Sequence, residues 1–173
     1  MATSRVKPQV IIVGTGHRLQ TGDDCYSPLQ LKEFADLIET TRKKYRVKFI
    51  AEEMSVDVLP TYGVTATVAK TLADCKGLGH QYVDLTWKER ATFKVDRIGL
   101  HVVSQRAKLR KAQIAALEKI VDELRECVSL VRILDINTWP VLFICGANHA
   151  SRVQYLFNTV GKLAVIEVND YEV

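Results

Sequence analysis

Long apolar runs are missing from this sequence. No stretch approaches the about 18 apolar residues that a membrane-spanning helix needs. The N-terminal segment, residues 1–9, lacks the apolar centre of a signal peptide. We therefore expect a soluble, cytoplasmic protein without a membrane partner.

Paired cysteines and nucleic-acid motifs are also missing. The four cysteines are scattered without a CxxC pair, which argues against zinc knuckles and disulfide scaffolds. The net charge is only +4, and the basic runs at residues 42–44 and 106–111 come with no RNA- or DNA-binding motif. Such runs are usually solvated helix faces, so we expect no nucleic-acid partner.

Strand and helix patterns alternate along the 173 residues, of which 47% are apolar. Short apolar runs predict strands at residues 9–13, 47–51, 80–84, 139–145 and 163–168, with helical spacing between them. The longest helical stripe, at residues 114, 117, 120, 121, 124, 128 and 131, predicts a helix ending near residue 135. We expect an α/β fold with one domain over residues 1–173, a mostly parallel five-stranded sheet and helices on both faces.

Histidines and acids follow four of the predicted strands. In an open parallel sheet the carboxyl ends of the strands lie at one edge, where ligands bind. Residues far apart in sequence would then share one pocket, so an active or binding site at this edge is our main hypothesis. The candidate residues are His17 after the first strand, Glu52 and Glu53 after the second, Asp84 after the third, and Gly146, Asn148 and His149 after the fourth.

Gly14, Thr15 and Gly16 predict a tight turn after the first strand. They are not a dinucleotide fingerprint, because Leu19 stands where the third glycine would be and we expect no helix to start directly there. We expect the turn to project His17 at the edge, with backbone amides that could hold an anion. The alternative is that His17 is only a hydrogen-bonding loop residue.

His149 is favoured as a functional residue by its neighbours. Gly146 and Ala147 leave space around it, and the dipole of the following helix disfavours an imidazolium. A neutral imidazole can accept a proton or bind a metal. The alternative is that Asn148 or His149 caps the helix.

The acids at the strand ends leave choices open. Glu52 and Glu53 are adjacent, so they point to opposite sides and only one faces the pocket. We favour Glu52 slightly. Asp84 could bind a metal or cap the segment after it, whereas His80 enters its strand from the opposite edge and is expected to be structural.

Cys145 is a candidate nucleophile because it precedes Gly146 and lies four residues before His149. A nucleophile elbow needs small residues around the nucleophile, and Phe143 occupies one of those positions. We therefore expect a buried strand cysteine.

Four short motifs occur in order: GTGH ending at His17, AEE ending at Glu53, Arg125-Glu126, and FICGANH ending at His149. With them the chain resembles a compact relative of the TraB/TIKI and EreA/ChaN-like superfamily and is similar to small uncharacterised bacterial proteins. The resemblance implies an α/β fold with a shared pocket; members include metal-dependent peptidases, an esterase with a histidine base and a haem-binding lipoprotein. It implies pocket roles for His17, Glu52 or Glu53, Arg125 and His149.

Arg125 lies well inside the predicted long helix. We expect it to reach the edge only if that helix breaks or begins anew nearby. An ordinary salt bridge is the alternative role.

We expect a hydrolase that acts on an ester, amide or phosphoester in a small molecule or peptide. Either His17, Glu52 and His149 bind Mn, Co, Zn or Fe, or a histidine acts as the base without a metal. The alternatives are a non-catalytic nucleotide or small-anion binder, for which Gly14 to Gly16 would be ligand-binding, and an interaction protein. A homo-oligomer is left open, and the irregular segment at residues 86–105 is a candidate lid.

Overall fold

The computed structural model describes residues 7–93, 95, 105 and 107–172. They form an α/β fold with one five-stranded sheet in the order β3-β2-β4-β1-β5, and every neighbouring pair is parallel. This confirms the predicted fold class. The strands are β1 (Val10–Thr15), β2 (Phe49–Glu52), β3 (Gly79–Tyr82), β4 (Val141–Gly146) and β5 (Ala164–Tyr171).

Helices connect the strands. They are α1 (His17–Thr21), α2 (Pro28–Tyr45), α3 (Val68–Lys76), α4 (Trp87–Phe93), α5 (Lys111–Ile136) and α6 (Ala147–Thr159), with a 3-10 turn at Leu59–Tyr62. In the described part of the chain, none of them combines the length and apolarity that crossing a membrane requires. Half of the segment expected as a lid, residues 86–105, lies outside the described residues; its beginning is α4.

Two short helices differ from the sequence-based expectation. A helix does start directly after the glycine turn, because His17 is the first residue of α1; it ends within five residues, where Gly22 adopts a left-handed conformation. Helix α4 occupies part of a segment expected to be irregular. Both are too short to show several turns of apolar periodicity, which is the signal that predicts helices.

The sheet is covered on both faces, as its continuous apolar strands require. Alternate residues of each strand point to opposite sides. One core joins Ile11, Ile50 and Leu142 to α2 and α3. The other joins Ile12, Ala51 and Phe143 to α5 and α6.

The carboxyl ends of β1 and β4 meet where the chain changes direction. The connection from β1 runs through α1 and α2 to β2, on one side of the sheet, and the connection from β4 runs through α6 to β5, on the other. Thr15 pairs with Gly146 at this point. Such a switch point leaves a crevice between the diverging connections, and open α/β sheets bind ligands there.

Close packing at this switch point gives a first prediction. A Cβ atom on Gly14 would lie 2.7 Å from Asn169 Oδ1 and 3.1 Å from Ala147 Cα, whereas a Cβ atom on Gly16 would meet nothing within 4 Å. Gly14→Ala should therefore lower the free energy of unfolding by about 1–3 kcal/mol through overpacking. The matched change Gly16→Ala should alter it by less than about 1 kcal/mol. Urea denaturation measures the free energy of unfolding of both variants. Equal losses in the two would contradict the close packing around Gly14.

Candidate active site at the carboxyl edge of the sheet

The two glutamates at the end of β2 point to opposite faces. Ile50 belongs to the core under α2 and α3, and Ala51 belongs to the core under α5 and α6. By alternation Glu52 points towards α3 and Glu53 towards α5 and α6. The slight preference for Glu52 is therefore wrong, because Glu53 is the glutamate beside His149.

Glu53 is 4% exposed at its side chain and accepts two hydrogen bonds. Its Oε1 lies 3.0 Å from Nη2 of Arg125, which donates to it. Its Oε2 accepts the backbone N–H of Gly146 at 2.9 Å. Through these contacts one carboxylate joins the ends of β2 and β4 to helix α5.

His149 stands in the first turn of α6 and is held between two carboxylates. Its Nδ1 lies 2.8 Å from Oε1 of Glu126, within hydrogen-bond distance. Its Nε2 lies 3.6 Å from Oε1 of Glu53, a charge contact rather than a hydrogen bond. The imidazole is 15% exposed, so one ring edge is held by protein and the site still opens to solvent.

Glu126 is the site residue that sequence reasoning missed. It is buried on the inner side of α5, with Ser129 and Ile133. Nε of Arg152 lies 2.7 Å from Oε2 of Glu126. Its N–H does not point at that oxygen, so Oε2 of Glu126 accepts no hydrogen bond from the described residues. A weak signal was present: Glu126, Ser129 and Ile133 share one face of the helix by their spacing, but two of the three are polar.

The stripe that predicted helix α5 is not the stripe that packs on the sheet. The helix extends to Ile136, which confirms the predicted end. However, Ile120, Leu124 and Val131 from the predicted stripe are exposed. The body of the protein is contacted instead by the face that carries Arg125 and Glu126.

Arg125 reaches the edge of the sheet from within an unbroken helix, which was not expected. Its guanidinium donates to both carboxylate oxygens of Asp84, at 3.1 and 2.7 Å, and to Glu53. It also bonds Asp122, one turn earlier in α5. A long side chain directed from the middle of α5 therefore spans the distance that a helix end was expected to cover.

Asp84 is engaged by cations and does not present a free ligand. Arg90 and Arg125 bond its carboxylate, and its Oδ1 also accepts the N–H of Leu85, the next residue in the chain. Burial opposes its charge, but the hydrogen bonds and charges of the two arginines outweigh burial and lower its pKa. Burial likewise disfavours the Arg125 cation, yet Asp84 and Glu53 raise its pKa.

Each buried acid of this cluster has an arginine within ion-pair distance. The acids Glu53, Asp84 and Glu126 face the cations Arg90, Arg125 and Arg152. Buried ion pairs are tolerated when each charge has a partner. Each of these three acids therefore has a cation partner other than His149.

The glycine turn after β1 lies alongside this cluster through the pairing of Thr15 with Gly146. Thr15 donates its hydroxyl to the carbonyl of Tyr171, so it serves the sheet and is not free for a ligand. Nδ1 of His17 is buried and has no hydrogen-bond partner among the described residues. Asn148 is exposed and makes no capping bond to α6.

A second carboxylate–imidazole pair lies on the opposite face of the sheet. Oε1 of Glu52 lies 2.6 Å from Nε2 of His80 and accepts the hydroxyl of Thr67. Glu52 is fully buried and the side chain of His80 is 3% exposed, so this pair is sealed. Burial also raises the pKa of the neighbouring Tyr82. His80 is thus a partner of Glu52, and this pair serves as an internal comparison for His149 and Glu126.

A cavity of about 470 Å³ lies on this second face, between α2 and α3. Thr67 lines it together with mostly apolar side chains, and neither His149 nor Glu126 takes part. This cavity is therefore separate from the edge cluster.

The expected metal set of His17, Glu52 and His149 does not fit the geometry. Glu52 points to the other face and is bonded to His80 and Thr67. Glu53, which does lie with His149, shares its Oε1 with the Arg125 cation, which would repel a metal ion. Across residues 7–93, 95, 105 and 107–172, no group of three or more His, Cys, Asp or Glu is arranged to hold a metal ion.

Comparison with protein families, curated proteins and solved structures gives no match for this chain. The resemblance to the TraB/TIKI and EreA/ChaN-like superfamily therefore stays a prediction.

Arg125 provides a prediction on stability. Arg125→Met would leave Asp84 and Glu53 buried without their main cation, so the free energy of unfolding should fall by about 3–5 kcal/mol. Lys32→Met removes an exposed pair with Asp36 and should cost no more than about 1 kcal/mol. Chemical denaturation near neutral pH measures the free energy of unfolding of both variants and of the unaltered protein.

The same variant has a predicted pH dependence. Because the folded pKa of Asp84 lies below its ordinary 3.8, its ionised form stabilises the protein above that pH, and this contribution is lost as the pH falls through the lowered value. Arg125→Met removes the cause of the lowering. The difference in the free energy of unfolding between the unaltered protein and Arg125→Met should therefore narrow below about pH 4. A difference that stays constant with pH would contradict the ion pair between Arg125 and Asp84.

Cys145 is fully buried on the α5 and α6 side. Burial, followed by the charges of Glu53 and Glu126, raises the pKa of its thiol well above the ordinary value. Because the thiolate is the reactive form, this agrees with a buried strand cysteine rather than a nucleophile.

Thiol titration tests this assignment. In dilute, monomeric native protein, Cys25, Cys75 and Cys127 are exposed and should react with Ellman's reagent, whereas Cys145 should react only after unfolding. Cys145→Ala should retain the fast phase and lack the slow one. A fourth fast thiol in the native protein would contradict the burial.

Proposed function

We propose that this protein is a hydrolase in which His149 is the general base at the carboxyl edge of the sheet. The substrate class is an ester, amide or phosphoester of a small molecule or peptide. The observation that carries the proposal is the 2.8 Å contact between His149 Nδ1 and Glu126 Oε1 at the switch point of the sheet. This pair combines an oriented imidazole with access to solvent.

Glu126 determines which nitrogen of His149 can act. An ionised carboxylate only accepts hydrogen bonds, so in the neutral imidazole the Nδ1 nitrogen carries the proton and Nε2 has the free lone pair. A carboxylate that holds an imidazole in this way also stabilises the imidazolium formed after proton transfer. Glu126 is therefore a positioning residue.

The expected reaction is water attack on a carbonyl carbon or phosphorus atom. Nε2 of His149 removes a proton from water as the new oxygen bond forms, and the imidazolium then returns that proton to the leaving oxygen or nitrogen. Glu53, 3.6 Å from Nε2, is close enough to stabilise the transient positive charge. The first turn of α6 contributes the positive end of its dipole, which favours a developing oxyanion.

The position of Glu53 also favours a hydrolase over an anion-binding protein. The amide of Gly146, directly before α6, already donates to the carboxylate of Glu53. A nucleotide phosphate bound there would face the charges of Glu53 and Glu126, and like charges repel. A neutral ester or amide has no such conflict, so the same repulsion favours these two substrate classes over a phosphoester.

Matched substitutions at the two carboxylate–imidazole pairs test the proposal. His149→Gln and Glu126→Gln should lower turnover of nitrophenyl esters, nitrophenyl phosphates or peptide anilides by about 10²–10⁴-fold, the usual contribution of a general base. His80→Gln and Glu52→Gln change the same groups on the sealed face and should retain turnover in the folded fraction. Thermal unfolding measures that fraction for each variant.

Dependence on pH separates a base from a structural histidine. Turnover by the unaltered protein should depend on pH, because a general base works only in its unprotonated form, and Glu126→Gln should change the shape of that profile. Turnover that survives His149→Gln, or an equal loss in His80→Gln, would refute the assignment. Failure of every substrate class in the panel would count against a hydrolase.

A further inference from the structure

The outward face of helix α5 carries an apolar stripe, which we call the outer stripe. It consists of Leu117, Ile120, Leu124, Cys127 and Val131. Ile120 is 59% exposed, Leu124 36% and Val131 54%, and Cys127 is also exposed. A helix on the surface of a domain normally turns charged and polar residues outward, so this face resembles one that packs against another helix.

The spacing of the outer stripe identifies the kind of partner that fits. Its residues follow one another at intervals of three, four, three and four positions. This is the heptad spacing with which one helix packs along another. The face that contacts the sheet, with Glu126, Ser129 and Ile133, lies on the opposite side of α5. The helix therefore has one face for its own domain and a second suited to a helical partner.

The length of α5 provides an independent observation. Its 26 residues extend about 39 Å at 1.5 Å per residue, whereas the strands of the sheet have only four to eight residues. Between residues 111 and 120, Ile114 and Leu117 are half-buried and every other residue is exposed. A helical segment with so few contacts is marginal in water unless its apolar side is packed.

We propose that α5 pairs antiparallel with α5 of a second copy of this chain, with Leu124 near the two-fold axis. Arg110 and Lys111 lie at the N-terminal end of α5, and Asp135 lies near its C-terminal end. An antiparallel pair places Arg110 and Lys111 of one helix near Asp135 of the other and also pairs the helix dipoles favourably. The outer stripe itself has no charged residue, so no like charges meet in the seam.

Sedimentation equilibrium over a range of concentrations tests the pairing. The 173-residue chain should associate to a dimer, and Leu124→Glu should raise the dissociation constant at least about a hundredfold, because two buried carboxylates would meet near the axis. Leu29→Glu makes the same change at a 64% exposed leucine on α2 and should leave the constant unchanged. A protein that stays monomeric at every concentration, or a dimer that tolerates Leu124→Glu, would overturn the proposal.

Cross-linking locates the interface. A variant with Cys25→Ser and Cys75→Ser retains Cys127 as its exposed thiol, and one with Cys25→Ser and Cys127→Ser retains Cys75. A flexible bismaleimide should join the first variant into covalent dimers and leave the second monomeric on denaturing gels. Adding Leu124→Glu to the first should abolish the cross-link. Equal cross-linking through Cys75 would overturn the assignment of the outer stripe as the interface.

Discussion

The carboxyl edge of the sheet depends on the hydrogen bonds of the Arg125 guanidinium. It binds Glu53 at the end of β2 and Asp84 just after β3, while its own helix packs against α6. The next residue, Glu126, contacts His149. Two consecutive residues of α5 therefore connect this helix to the end of β2, to the segment after β3 and to α6. The Arg125 cation also lowers the free-energy cost of burying Glu53 and Asp84.

Alternation at the end of β2 then divides the polar residues between two faces. Glu52 joins His80 on the α3 side and Glu53 joins the His149 cluster on the other. The two carboxylate–imidazole pairs have the same chemistry but different access to water: the side chain of His80 is 3% exposed and that of His149 is 15% exposed. A sealed pair can only stabilise the fold, whereas an imidazole at an open edge can exchange protons with a substrate. This difference, rather than residue type, decides which histidine is the better base.

Helix α5 shows where reasoning from sequence loses information. Its apolar period predicted a helix with the correct end, yet the apolar stripe lies on the outside and the polar residues Arg125, Glu126 and Ser129 face the protein. The spacing of apolar residues indicates that one face of a helix is apolar, but it does not indicate what that face contacts. The usual assumption that the apolar face turns inward fails when the inner face meets a charged site, and it concealed the role of Glu126.

The order of short apolar runs and helical stripes determined the α/β fold, the five strands and the gathering of polar residues at one edge, because local periodicity and parallel connections restrict the topology so strongly. His17 and His149 were placed on neighbouring segments by that argument alone. Only the tertiary structure decided that Glu53 rather than Glu52 accompanies His149, that Arg125 reaches across from the middle of a helix, and that Glu126 orients the imidazole. These relations depend on side-chain direction and on pairing between charges distant in the chain, and no local pattern of residues encodes them.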